Sequence, residues 1–143
     1  MSLKTIALSA VLAVAALPAA ALADTFTVSP TNLQVKGASA AEVTVRSGGP
    51  GAMQGQVRVM RWNPAGGADD LAPTRDVVAS PAALRLGANQ ETTIRLVRVR
   101  KQAVGRTPEC YRVLIDQLPG AGSGAPVVKF TIRHSVPLCF VQG

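Results

Sequence analysis

From Phe26 onward the chain is a series of short runs in which apolar and polar residues alternate, separated by clusters of Gly, Pro, Asn, Asp and Ser at intervals of about a dozen residues. Two-residue alternation puts successive side chains on opposite faces of a strand, so each run can cover one side of a sandwich and none makes an amphipathic helix. The runs are FTVSPTNLQV, AEVTVRS, QGQVRVMRW, RDVVAS, ALRL, ETTIRLVRV, YRVLIDQLP and VVKFTIRHSVPLCFV. Within them Val57 and Val59 face opposite to Arg58, and Ile94 and Leu96 face opposite to Arg95 and Val97. The turn-rich GGPGAMQG, NPAGGADDLAPT and GAGSGAP fall between or beside them. About seven strands of this kind predict an all-β, immunoglobulin-like sandwich as a single domain.

The first 23 residues, MSLKTIALSAVLAVAALPAAALA, read differently: one Lys, a long Ala/Val/Leu run broken by Pro18, and the small-residue triplet Ala21-Leu22-Ala23. That is the pattern of a secretory leader and its cleavage site rather than of a membrane span. Removing residues 1–23 leaves residues 24–143 as one domain, close to the size of an immunoglobulin-like sandwich. No other segment is apolar and long enough to span a bilayer as a helix, so the mature chain reads as not membrane-embedded.

The whole chain carries a net charge of +7, which becomes +6 once Lys4 leaves with the leader. Such a balance favours an acidic partner or surface. Nucleic acid is disfavoured, because Arg46, Arg58, Arg61, Arg95, Arg98, Arg112 and Arg133 are spread singly along strands with no basic run and no aromatic platform between them. Catalysis is disfavoured too. His134 is the only histidine, and no second histidine, carboxylate pair or nucleophile motif accompanies it, so the sequence predicts no catalytic residue, no metal site and no cofactor. Trp62 and Tyr111, the only Trp and Tyr, read as core residues of their strands.

Four signatures occur in order: SPTNLQV, QVRVMRW, LAPTRDVVASPAALRL, and ECYRVLIDQLP leading to RHSVPL. In that order they resemble the N-terminal domain of the periplasmic pilus assembly chaperones of the chaperone-usher pathway, over essentially all of residues 24–143. The resemblance implies a non-enzymatic periplasmic protein that stabilises pilin or fimbrial subunits by lending its last strand, and then delivers them to an outer-membrane usher. The lent strand would be the last one. Val128, Phe130, Ile132, His134 and Val136 share one of its faces, while Lys129, Thr131, Arg133 and Ser135 share the other. Alternation alone also fits a terminal strand that covers only its own core. Two further readings stay open: a structural or adhesion domain of the same fold, and a truncated, inactive chaperone fragment.

Family members hold the subunit's terminal carboxylate with an Arg on the first strand and a Lys on the last. Here Asn32 and Pro137 fall at or near those positions, and neither supplies a charged donor. Pairing the last two strands antiparallel so that Cys110 faces Cys139 sets Tyr111 against Leu138, Val113 against Val136 and Asp116 against Arg133. It also sets Arg112 against Pro137. Arg112 is therefore the candidate surrogate anchor, with Asn32 and Arg133, and more weakly Arg95, as others; outward, solvated arginines are the alternative. A Cys110–Cys139 disulfide follows as the expectation for an oxidising compartment, against two buried thiols. The family resemblance also implies a second immunoglobulin-like domain, and the sequence stops where the link to it would begin.

Overall fold

The computed structural model describes residues 26–49, 51–119 and 131–143. They form ten strands, β1 (Phe26–Ser29), β2 (Leu33–Lys36), β3 (Ala40–Ser47), β4 (Met53–Trp62), β5 (Leu71–Pro73), β6 (Val77–Ser80), β7 (Ala83–Leu86), β8 (Glu91–Arg98), β9 (Glu109–Leu118) and β10 (Arg133–Val141), with a single turn of 3₁₀ helix at Pro64–Gly66. The expected leader, residues 1–23, lies outside the described residues.

One sequence run supplies two strands, and two neighbouring runs, RDVVAS and ALRL, continue each other across a proline. FTVSPTNLQV crosses between sheets at Pro30, giving β1 in one sheet and β2 in the other, and the chain crosses again at Pro81 between β6 and β7. Proline has no N–H to give a ladder, so a strand that must leave its sheet breaks there at least cost. With β1 and β2 counted as one strand, β6 and β7 as another, and the three-residue β5 set aside, the expected seven strands are recovered.

One sheet has the order β1-β3-β8-β6; the other has the order β2-β10-β9-β4-β5, with β7 also on β4. Their inner faces enclose the core: Val43 and Val45 from β3, Ile94 and Leu96 from β8, Tyr111, Val113 and Ile115 from β9, and Leu138 and Phe140 from β10, all at 0% exposure. The last two strands pair in the expected register, with Cys110 opposite Cys139, Val113 opposite Val136 and Asp116 opposite Arg133. The Cys110–Cys139 disulfide is formed, and no described cysteine is free.

Candidate functional site

β10 is covered unevenly. Its second half, Leu138 to Val141, pairs in parallel with β2, from Leu33 to Lys36. Its first half, Arg133 to Pro137, pairs with β9 on one side and, among the described residues, with no strand on the other. β2 cannot extend to cover it, because the chain arrives at Asn32 from the opposite sheet through Pro30. Among the described residues the open stretch has no strand on this side, as at a sheet edge.

The apolar row divides at the same place. Val136 is 2% exposed and packs in the chain's own core, so it is not a side chain that a partner can reach; this corrects the expectation that it belongs to the outward-lent set. Ile132 and His134 are half-buried. The Ile132 carbonyl accepts a hydrogen bond from the Gln117 N–H at 2.9 Å, continuing the β9 ladder beyond β10. The His134 ring meets the Phe26 ring edge-on with centroids 4.6 Å apart, and its Nε2 lies 3.2 Å from the Phe26 carbonyl oxygen. That contact ties the start of β1 to the open half of β10. Val128 and Phe130 lie outside the described residues.

The outer face of the larger sheet carries the charged candidates. Asp116 accepts from Arg58 Nη2 at 3.0 Å and from Arg133 through both Nε and Nη2, the latter at 3.1 Å. The Arg133 guanidinium, then that of Arg58, holds the Asp116 carboxyl below its ordinary range against the opposing effect of burial. Arg133 is thereby committed to a neighbour and is a poor anchor. Arg95 is farther away still, on β8 in the opposite sheet.

Arg112 differs from both. It is flanked by Pro137 on β10 and Met60 on β4, and its guanidinium lies 4.0 Å from the centroid of the Trp62 ring. Among the described residues no carboxylate pairs with it, and its buried Nε finds no hydrogen-bond partner. Asn32, Leu33, Gln34, Trp62, Pro137 and Cys139 line a hollow of about 440 Å³ beside it. Arg112 and Asn32, far apart in sequence, thus flank Pro137 from the β9 and β2 sides, where the open edge ends and β2 begins.

The expectation that Trp62 packs in the core is corrected here. Trp62 lies on the outer face, half-buried, and its indole Nε1 donates to the Gly67 carbonyl at 2.9 Å. Gly67 presents that carbonyl from a backbone with φ of 94°, a conformation that favours glycine. Residue parity would have found this position, because Trp62 shares its strand face with Arg58 rather than with Val57. Tyr111 does lie in the core, fully buried with its hydroxyl unpaired among the described residues, and burial pushes its phenol pKa upward.

Among the described residues no group of three or more His, Cys, Asp or Glu is arranged to hold a metal, and no helix is long and apolar enough to cross a membrane.

Residues 25–141 match the family of pili and flagellar-assembly chaperones, PapD N-terminal domain. The chain belongs to that family. This PapD-type domain superposes on a structure of the CsuC–CsuE chaperone-tip adhesion subunit pre-assembly complex from the archaic chaperone-usher Csu pili of Acinetobacter baumannii, with a TM-score of 0.69 and 25% identity, covering 82% of this chain and 52% of that one. The Salmonella enterica SafA pilin in complex with the SafB chaperone matches with a TM-score of 0.68 and 21% identity, over 82% and 54% of the two chains. The E. coli chaperone DraB matches with a TM-score of 0.66 and 18% identity, over 82% and 55%. The chain therefore spans just over half the length of the solved chains it matches. No curated protein sequence matches it significantly.

Proposed function

We propose that this PapD-type domain acts in the periplasm as a non-enzymatic assembly chaperone, which stabilises incomplete pilin-type subunits by lending them the open half of its last strand and releases them to an outer-membrane usher. The observation that carries this reading is the uneven cover of β10: among the described residues no strand covers Arg133 to Pro137 on the side away from β9, beside a row of side chains that leaves the core at Val136 and continues through His134 and Ile132. In the sequence the row runs on to Phe130 and Val128. A strand added there gains main-chain hydrogen bonds from the edge and apolar contacts from alternate side chains, which is an established mode of β-strand addition.

The direction of the added strand follows from charge. β2 runs parallel to β10 and starts at Leu33, so a parallel newcomer in line with it ends near Asn32 and Pro137, with its terminal carboxylate beside Arg112. An antiparallel newcomer brings an ammonium group there instead, next to a cation. We assign Arg112, assisted by the Asn32 amide, as the carboxylate anchor, in place of the cationic pair that these two strands lack.

The test is co-expression in a periplasm with a pilin-type subunit that lacks its own final strand, followed by co-purification. A one-to-one complex lost on Ile132→Asp supports the reading. A folded protein that leaves the subunit to aggregate overturns it and leaves a structural immunoglobulin-like domain.

A further inference from the structure

We infer that Trp62 is the positioning residue of the carboxylate seat: its ring, which lines the hollow, also holds the Arg112 guanidinium, so that one arginine does the work of two cations. The inference rests on the strand-lending reading above and adds a residue to it. A free arginine side chain on a sheet surface carries about 2 kcal/mol of rotamer entropy, most of which a ligand must remove before it gains a two-point grip. Stacking on Trp62 at 4.0 Å removes part of that freedom in advance. The indole is itself held, through its hydrogen bond to Gly67 and its place in β4.

Three features confine the ligand to a carboxylate at a chain end. The Arg112 Nε is buried and has no partner among the described residues, so the Nη groups are the ones left to meet a ligand. No described acidic side chain neutralises the guanidinium, so the positive charge is unspent. The hollow shares Trp62 with the guanidinium and is closed on the β2 side by Asn32 to Gln34, so an extended chain lying on the open edge terminates there rather than passing through.

The test uses the full chain and two extended peptides of alternating Val and Thr, one ending in a free carboxylate and the other in an amide, titrated by calorimetry. The wild type is expected to prefer the free acid by about tenfold, the discrimination of one good charge-assisted contact. Trp62→Leu should lose most of that preference while keeping its affinity for the amide, and Trp62→Phe should retain part of it, because a smaller ring still stacks. Urea midpoints of each variant separate this from unfolding, since a purely structural Trp62 would weaken both peptides alike. Undiminished preference in Trp62→Leu, alongside its loss in Arg112→Ala, would overturn the positioning role and leave the anchor standing. Undiminished preference in Arg112→Ala overturns both. Failure of the wild type to bind either peptide removes the strand-lending reading and this inference with it.

Discussion

Arg98 and Glu109 form a two-point ion pair at one end of the sandwich, with Nε to Oε2 at 2.7 Å and Nη2 to Oε1 at 3.0 Å, while the third guanidinium nitrogen donates to the Arg100 carbonyl at 2.9 Å. The arginine side chain is only 5% exposed, so every donor it turns inward needs a partner. The hydrogen bond from Arg98 holds the Glu109 carboxyl below its ordinary range, more than burial raises it. A carboxyl depressed by folding stabilises the native state above its unfolded pKa, and that contribution is lost as pH falls through the lower, folded value. Glu109→Gln is expected to cost about 2 to 4 kcal/mol at pH 7 and to flatten the acid limb of stability below about pH 4.5, where ordinary glutamates titrate. Urea unfolding of both proteins at pH 7 and pH 3 checks it: an equal gap at the two pH values would remove the ion pair as the cause.

Asp116 has the same sign but a different setting. Its partners Arg58 and Arg133 are about half exposed, so solvent screens much of their effect. Asp116→Asn should therefore change stability at pH 7 far less than Glu109→Gln, and the small loss should shrink in high salt. Urea midpoints in low and high salt measure this, and a salt-insensitive loss would mean that packing rather than charge is responsible.

The Cys110–Cys139 bridge closes a loop with a sequence separation of 29 residues between the two strands that carry the candidate site. By the loop-entropy account it contributes about 3.5 kcal/mol through the unfolded chain. Reduction, or replacement of both cysteines by alanine, should lower the urea midpoint accordingly while β10 keeps its register, because Tyr111–Leu138 and Val113–Val136 pack in the core without it. Hydrogen exchange at β10 reads the register; loss of protection there with little loss of global stability would make the bridge the main support of β10.

Much of this was legible in the sequence, for identifiable reasons. The β9–β10 register followed from two independent constraints, the cysteine pair and the Asp116–Arg133 charge pair, which agree on one alignment. The inward places of Ile94 and Leu96 followed from alternation, and the same parity extended by two residues would have placed Arg98 inward, as it is. Alternation could not show that Val136 belongs to the chain's own core while Ile132 does so only in part. That depends on where β1 and β2 cover β10, and therefore on the sheet crossing at Pro30, a tertiary fact. Nor could it bring Trp62 onto Arg112, since stacking across strands depends on register between β4 and β9, for which the sequence offered no marker.

The division of the apolar row between core and partner yields the most discriminating prediction. Val136 is 2% exposed among core residues, so Val136→Ala should cost about 2 kcal/mol of stability from lost transfer and cavity formation. Its effect on subunit capture should appear only through that loss and recover when the fold is restabilised by lower temperature. Ile132 lies beyond the covered part of β10 and only partly against the core, so Ile132→Ala should lower stability by less than half as much. Yet it removes apolar area that a subunit groove would otherwise bury, and capture should fall by about tenfold or more. Paired urea unfolding and co-purification of the two variants tests the partition directly. If both variants lose stability and capture in the same proportion, the row serves one continuous core and the open half of β10 is not a lent strand. If the two losses separate by residue, the boundary between the chain's own fold and its partner's lies between Val136 and Ile132, with His134, held to Phe26, at the junction.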